Sequence, residues 1–291
     1  GLMDERLFAR LAGWLEQQAV VLASVVEARG ATPRRPGSRM LVTAASSLGS
    51  IGGGLAEVRV LEAARRLLGS SSVQGSVDID LGGGADSAGV CGGSMRIALR
   101  RWSTVDDLER ARAIRDALAA GHRVVLGADD LGAPGVGNVA NPDVRLLIVG
   151  AGHCGAALCE LAARLDFDIH VFDARRECLG QSAFAAACRH AGDVAQLGAL
   201  LDSERDVQAI LLNRDFHADV AALEVLCARP PRFLGMLGSR RRIGEVVKAL
   251  PGCREALRGL VAPVGLDIDA ETPHEIAVSI LAQLIAERRR Y

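Results

Sequence analysis

The 291-residue sequence predicts an α/β protein: an N-terminal mixed α/β domain followed by a C-terminal Rossmann-like domain with a parallel sheet. Three observations carry this. The apolar run 145–149 enters Gly150-x-Gly152-x-x-Gly155, and Asp173 ends the next apolar run 23 positions after Gly150, near the spacing of about 20 expected of a dinucleotide-type turn. From there to the end, apolar runs alternate with segments of helical period, the pattern of a parallel doubly wound sheet. Finally, 49% of the residues are hydrophobic but only 3% are aromatic. The core is therefore aliphatic, which suits strands buried on both faces.

In chain order, residues 4–18 have the apolar spacing of an amphipathic helix and 20–27 read as a strand. Pro33 and Pro36 make 30–37 a loop before a strand over 39–43. A glycine turn at 49–54 leads into a helix over 55–68. Strands at 73–80 and 95–99 flank a second glycine-rich stretch, 82–93. A helix over 105–119 and a strand over 123–126 close the first domain, placed at 3–127. Residues 128–142, with Gly132, Pro134, Gly135, Gly137 and Pro142, read as a linker. The second domain, 143–291, is expected to hold strands at 145–149, 168–172, 207–212 and 232–236, with helices from His153 to about 165, then 215–228, 240–250 and 273–289.

The formal net charge of −1 argues against bulk binding to nucleic acid, which needs a basic surface. No apolar run reaches the ~20 residues that cross a bilayer. Gly1 and Leu2 precede Met3 and read as an addition to the natural start, and no secretory leader is legible. The seven cysteines are odd in number and form no Cys-x-x-Cys pair. They read as reduced thiols in a cytoplasmic protein rather than a disulfide framework or zinc ribbon.

Within the glycine turn, Gly150 permits the tight bend, Gly152 lets a phosphate approach the backbone, and Gly155 lets helix and strand pack closely. Amides at the start of the helix, including that of His153, face the anion. Asp173 can accept from a ribose hydroxyl, and Arg175 with Arg176 can favour an extra phosphate. Gly238, Ser239 and Arg240, followed by two more arginines, form a second phosphate-type turn, with a capped helix start as its plainer reading. Gly52, Gly53, Gly54 and Glu57 resemble a phosphate cradle without the Lys-Ser/Thr of a P-loop, which argues against ATP hydrolysis. Cys91, with Gly92 and Gly93 behind it, is a thiol that a ligand can approach, able to meet a soft metal or carry sulfur; a buried or loop cysteine is its plainer reading. Asp215, His217 and Asp219 have metal-ligand spacing, but Asp215 suits a helix cap. Thr272-Pro273-His274-Glu275 is a capping box.

Taken together, these segments resemble the xanthine dehydrogenase accessory (XdhC/CoxI) family over nearly the whole chain. The resemblance rests on Gly30 through Met40, Gly49 through Glu57, Cys91-Gly92-Gly93, Gly150-Ala151-Gly152-His153, Leu234 through Arg240, Pro263 through Ile268, and Thr272 through Ile280. It implies a non-catalytic accessory factor that binds molybdenum cofactor (molybdopterin). Such a factor protects its cargo during sulfuration by a cysteine desulfurase and delivers it to an apo xanthine dehydrogenase-type molybdoenzyme. In that role Cys91 would meet the molybdenum or its sulfur, and Arg34, Arg35 and Arg39 would add charge-assisted bonds beside the glycine loops. The chain departs from the family pattern in two places: Leu55 stands where many relatives carry His or Cys, and Asn213-Arg214 where relatives often carry Thr-His. The aliphatic surplus points to a homodimer. An NAD(P)-dependent oxidoreductase and a nucleotide-sensing interaction protein are the alternatives.

Overall fold

The computed structural model describes residues 3–134 and 138–289. Gly1, Leu2, residues 135–137 of the expected linker, and 290–291 lie outside the described residues. The chain divides into two units, the first ending at Pro142 and the second beginning at Asp143.

The first unit runs α1 (Asp4–Leu15), β1 (Val20–Arg29), β2 (Arg39–Val42), β3 (Ser47–Gly49), α2 (Gly54–Leu68), β4 (Gln74–Asp80), β5 (Ser94–Trp102), α3 (Val105–Ala119), β6 (Val124–Leu126), α4 (Ala128–Leu131) and β7 (Asn138–Ala140). Five strands form an antiparallel sheet in the order β3-β2-β1-β5-β4. Its centre is an apolar run because both faces are covered. Val21, Ala23 and Val25 of β1 pack with Val60 and Ala64 of α2, whereas Val20 and Leu22 pack with Leu11 of α1 and Ile114 of α3. Strand alternation sends successive side chains to opposite faces. A bulge at Val26 shifts the β1–β5 register between Val25 and Glu27.

The stretch expected to be a linker is built into this unit. β7 pairs antiparallel with β6, and Asp130 of α4 accepts two hydrogen bonds from Arg110 at 2.9 Å. The backbone N–H of Asn141 donates to Asp4 Oδ2 at 2.9 Å. Gly132 ends α4 in the left-handed region, at φ 72°.

The second unit runs β8 (Arg145–Val149), α5 (His153–Ala162), β9 (Asp168–Asp173), β10 (Cys188–Ala191), α6 (Gln196–Leu201), β11 (Val207–Leu211), α7 (Phe216–Ala228), β12 (Phe233–Met236), α8 (Arg240–Lys248), β13 (Leu260–Val261) and α9 (Pro273–Arg288). All six strands are parallel, in the order β10-β9-β8-β11-β12-β13. Counted within the unit this is 3-2-1-4-5-6, the doubly wound order whose ligand crevice lies where strand order reverses. Leu146 and Ile148 of β8 face α5 and α9; Leu147 and Val149 face α6, α7 and α8. Thr272 caps α9 by accepting from the Glu275 N–H at 3.2 Å, while Glu275 accepts from the Thr272 N–H at 2.9 Å. Among the described residues no helix is long and apolar enough to cross a membrane.

Candidate functional site

The switch point lies between β8 and β11, and a cavity of about 960 Å³ opens at the carboxyl ends of these strands. Its floor is Gly150, Ala151 and Gly152; its walls include His153 and Cys154 of α5, Asp173 and Arg175 after β9, Asn213 to Asp215 after β11, and Gly238 and Arg242 at the start of α8.

The three glycines of the turn differ physically. Gly150 sits at φ +119°, and a Cβ there would lie 2.9 Å from Asn213 Oδ1 and 3.0 Å from Asn213 N. A Cβ at Gly155 would lie 2.1 Å from the Gly150 carbonyl oxygen. That is the close helix–strand approach the motif predicts. A Cβ at Gly152 would meet nothing within 4 Å, so the backbone here faces open space.

Three helices begin at the cavity, but their ends differ. Asp215 caps α7 by accepting from the Ala218 N–H at 3.0 Å, and Ser239 caps α8 by accepting from the Arg242 N–H at 3.2 Å. No side chain among the described residues caps α5. Its first-turn amides are therefore left without a side-chain acceptor, and uncapped helix N–H groups favour negative charge. Arg214 lines the same cavity, is exposed, and makes no ion pair among the described residues.

Asp173 is buried at the end of β9. Its carboxylate accepts from the Ala151 N–H at 2.9 Å and from Arg175 through the backbone N–H at 2.9 Å, Nε at 3.0 Å and Nη2 at 3.0 Å. Burial works to raise its pKa, but the Arg175 guanidinium and the two amides outweigh this and hold it below the usual carboxylate range. Burial pushes the Cys154 thiol up, so it stays protonated near neutrality.

Sequence reasoning read Arg242 only as part of the second phosphate-type turn and Arg214 only as a departure from the family pattern, and missed that both line this cavity. Arg242 Nη2 donates to Asp219 Oδ2 at 2.6 Å and to the Asn213 carbonyl at 3.2 Å, tying α8 to the β11–α7 loop. Asp219 is only 1% exposed, and burial pushes its carboxyl up against the pull of Arg242. The signal for this pair was Asp219 itself, four residues past the cap in a helix that meets an arginine-rich turn. Asp215, His217 and Asp219 do not converge as a metal set. Asp215 caps the helix, His217 lies edge-on to Phe216, and Asp219 holds Arg242. No group of three or more metal-ligating side chains occurs among the described residues. Ser239 and Arg240, expected as phosphate contacts, are exposed and lie outside the cavity lining; Gly238 lines it.

In the first unit, the sequence-predicted loops meet one another. A Cβ at Gly30 would sit 3.2 Å from Gly92 O, one at Gly93 2.3 Å from Ala31 O, and one at Gly52 2.8 Å from the Pro33 side chain. Glu57 is engaged within its own loop: its Oε2 accepts from Ser50 Oγ at 2.6 Å and Gly53 N at 3.0 Å, closing the glycine loop on itself. Arg39 is turned inward, 2% exposed, with Nη1 on Asp4 and Nη2 donating to Asn138 Oδ1 at 2.6 Å. It fastens α1 and β7 to the sheet and takes a structural place instead of the expected phosphate contact. Arg34 is half-buried and donates to the Pro33 carbonyl at 2.9 Å, while Arg35 is exposed. Gly53, Gly54 and Gly92 have no neighbour within 4 Å of an added Cβ, and Cys91 is an exposed free thiol.

Comparison with known proteins agrees with this geometry. The sequence model of the XdhC Rossmann domain matches residues 146–284, and that of the XdhC and CoxI family matches residues 14–78. Together they cover well over half of the chain. The Escherichia coli (strain K12) protein YqeB is 29% identical over 279 residues, 93% of this chain and 44% of YqeB. A probable xanthine dehydrogenase component from Bacillus subtilis (strain 168) is 31% identical over 151 residues, 51% of this chain and 44% of that protein. The E. coli molybdenum cofactor insertion chaperone PaoD is 27% identical over 312 residues, 98% of this chain and 89% of PaoD. The chain thus spans under half the length of the first two relatives and most of the third. In three dimensions it is similar to a crystal structure of a xanthine dehydrogenase from Bacillus halodurans, with a TM-score of 0.81 at 23% identity over 99% of this chain and 96% of that one. That likeness shows the fold.

Proposed function

The chain belongs to the XdhC family, and from that membership we propose that it binds molybdenum cofactor and serves its insertion into a xanthine dehydrogenase-type molybdoenzyme. The cavity at the switch point of the second unit is the observation that carries this reading. For a phosphate it offers an uncapped helix start, open backbone at Gly152, and Arg214, which has no ion pair among the described residues. Apolar lining from Leu237, Ile276 and Ala218 suits a flat heterocycle. The cofactor is cargo here, and the chain's residues bind, orient and shield it.

Protection during sulfuration, with a cysteine desulfurase as sulfur donor, is part of the same proposal. Cys91 is its candidate contact to molybdenum or sulfur, supported by the exposure of the thiol and the open space at Gly92. A cytoplasmic homodimer completes the reading; exposed Leu266, Ile268 and Val278 give the second unit apolar surface to cover.

The glycine turn and strand order favour a second reading, an NAD(P)-dependent oxidoreductase or a nucleotide-sensing protein. One experiment separates them. The purified protein is loaded anaerobically with molybdenum cofactor, and in parallel with NAD(H) and NADP(H), then gel-filtered and assayed for pterin, molybdenum and dinucleotide. Pterin with molybdenum and no dinucleotide is expected; dinucleotide alone would replace the proposal. Cys91→Ser should lower molybdenum retention, and unchanged retention would remove Cys91 from the site.

A further inference from the structure

A dinucleotide crevice of this strand order reads its ligand at the end of the second strand, where a carboxylate accepts from both hydroxyls of a ribose. That requires free lone pairs on the carboxylate. An ionised carboxyl group offers about four acceptor sites. Asp173 has all of them occupied. Oδ1 accepts from the backbone N–H and Nε of Arg175, and Oδ2 from the Ala151 N–H and Arg175 Nη2. The Arg175 side chain supplies one of the two donors on each oxygen, the two places a ribose diol would take. The donor is itself reachable, because the Arg175 side chain is 62% exposed while that of Asp173 is 5% exposed. The uncapped start of α5, where an anion is favoured, lies elsewhere and does not involve Asp173.

We propose that Arg175 determines specificity by closing the ribose seat: its fork on Asp173 turns away the adenosine ribose of NAD and selects phosphorylated ligands that carry no ribose diol at that end. The inference rests on the cavity being the cargo site, and it deepens that reading by favouring a phosphomonoester of a compact heterocycle over a nucleotide-extended form. A ribose diol entering the closed seat would have to displace bonds in which donor and acceptor are both charged, and offers in return bonds in which only the acceptor is charged.

The test is calorimetric titration of NAD⁺ and of a pterin phosphomonoester into the full chain. Wild type should bind the pterin phosphomonoester but show little affinity for NAD⁺. Arg175→Ala keeps the backbone N–H yet frees one lone pair on each oxygen. It should gain NAD⁺ affinity by about tenfold or more, the scale of a hydrogen bond to a charged acceptor. Adding Asp173→Asn to Arg175→Ala should abolish that gain. Arg175→Gln, which cannot fork, serves if Arg175→Ala does not fold. The proposal is overturned if wild type binds NAD⁺ in a manner that Asp173→Asn removes, or if neither Arg175 variant gains affinity. Because NAD⁺ is read without molybdenum, a failure of molybdenum loading with the Arg175→Ala gain intact would count against the cargo and not against Arg175.

Discussion

Gly152 and Gly155 stand three residues apart and should respond in opposite ways to a side chain. Gly152 has φ −80°, which any residue adopts, and its Cβ direction is empty. Gly152→Val should therefore leave stability within about 0.5 kcal/mol of wild type while filling the cavity at the turn. Gly155→Ala drives a methyl into the Gly150 carbonyl and should cost about 3 kcal/mol; urea titration of both variants checks the contrast. Asp168 gives a pH prediction. Burial would raise its carboxyl, but hydrogen bonds from His170 at 3.2 Å and Arg145 at 2.8 Å, with their charges, hold it well below the usual range. A depressed folded value means stability present above the unfolded value of ~3.9 and lost as pH falls from there through the folded one. Asp168→Asn should flatten that acid limb, and an unchanged limb in chemical unfolding from pH 5 downward would refute it. At this scale the sequence was legible wherever one residue's role follows from its own position, as in the glycine turn and the Asp215 cap. It was opaque where the role depends on a distant partner. Nothing near Arg39 in sequence announces Asp4 or Asn138, and nothing beside Asp173 says that Arg175 folds back on it.

Elements follow the same division. Segments long enough to show a period stand where the sequence places them: α3, β8, and α7 to within a residue. Residues 174–206 carry no legible element in sequence, and the structure puts β10 and α6 there. β10 is a four-residue edge strand, half of it exposed, and α6 has six residues. Neither is long enough for periodicity to speak. The 128–142 segment misled for a related reason: β7 finds its partner in β6, outside the segment, and Gly132 ends a helix within the unit. Local signals at helix starts were stronger. Thr272→Ala breaks the reciprocal cap of α9, whose Ala277, Ile280 and Leu284 pack against the sheet of the second unit. It should lower stability by about 1 kcal/mol, read as a shift in urea midpoint without a change in slope. A loss below a few tenths of a kcal/mol would show that packing alone sets that helix end.

At the scale of the whole molecule, each unit closes its own hydrophobic cores: two between residues 7 and 140, and two between residues 146 and 284. A fragment beginning at Asp143 should accordingly fold by itself, with a cooperative melt and mixed helix–strand circular dichroism; an unfolded or aggregating fragment would refute this. On the proposed function, the cavity above Gly150–Gly152 is where molybdenum cofactor is held. The direct measurement is molybdenum and pterin content after anaerobic loading and gel filtration, wild type beside Gly152→Val. Stoichiometric pterin and molybdenum on wild type, with both lost from a folded Gly152→Val, is the predicted result. Equal loading of the two proteins would place the cargo elsewhere and contradict that assignment.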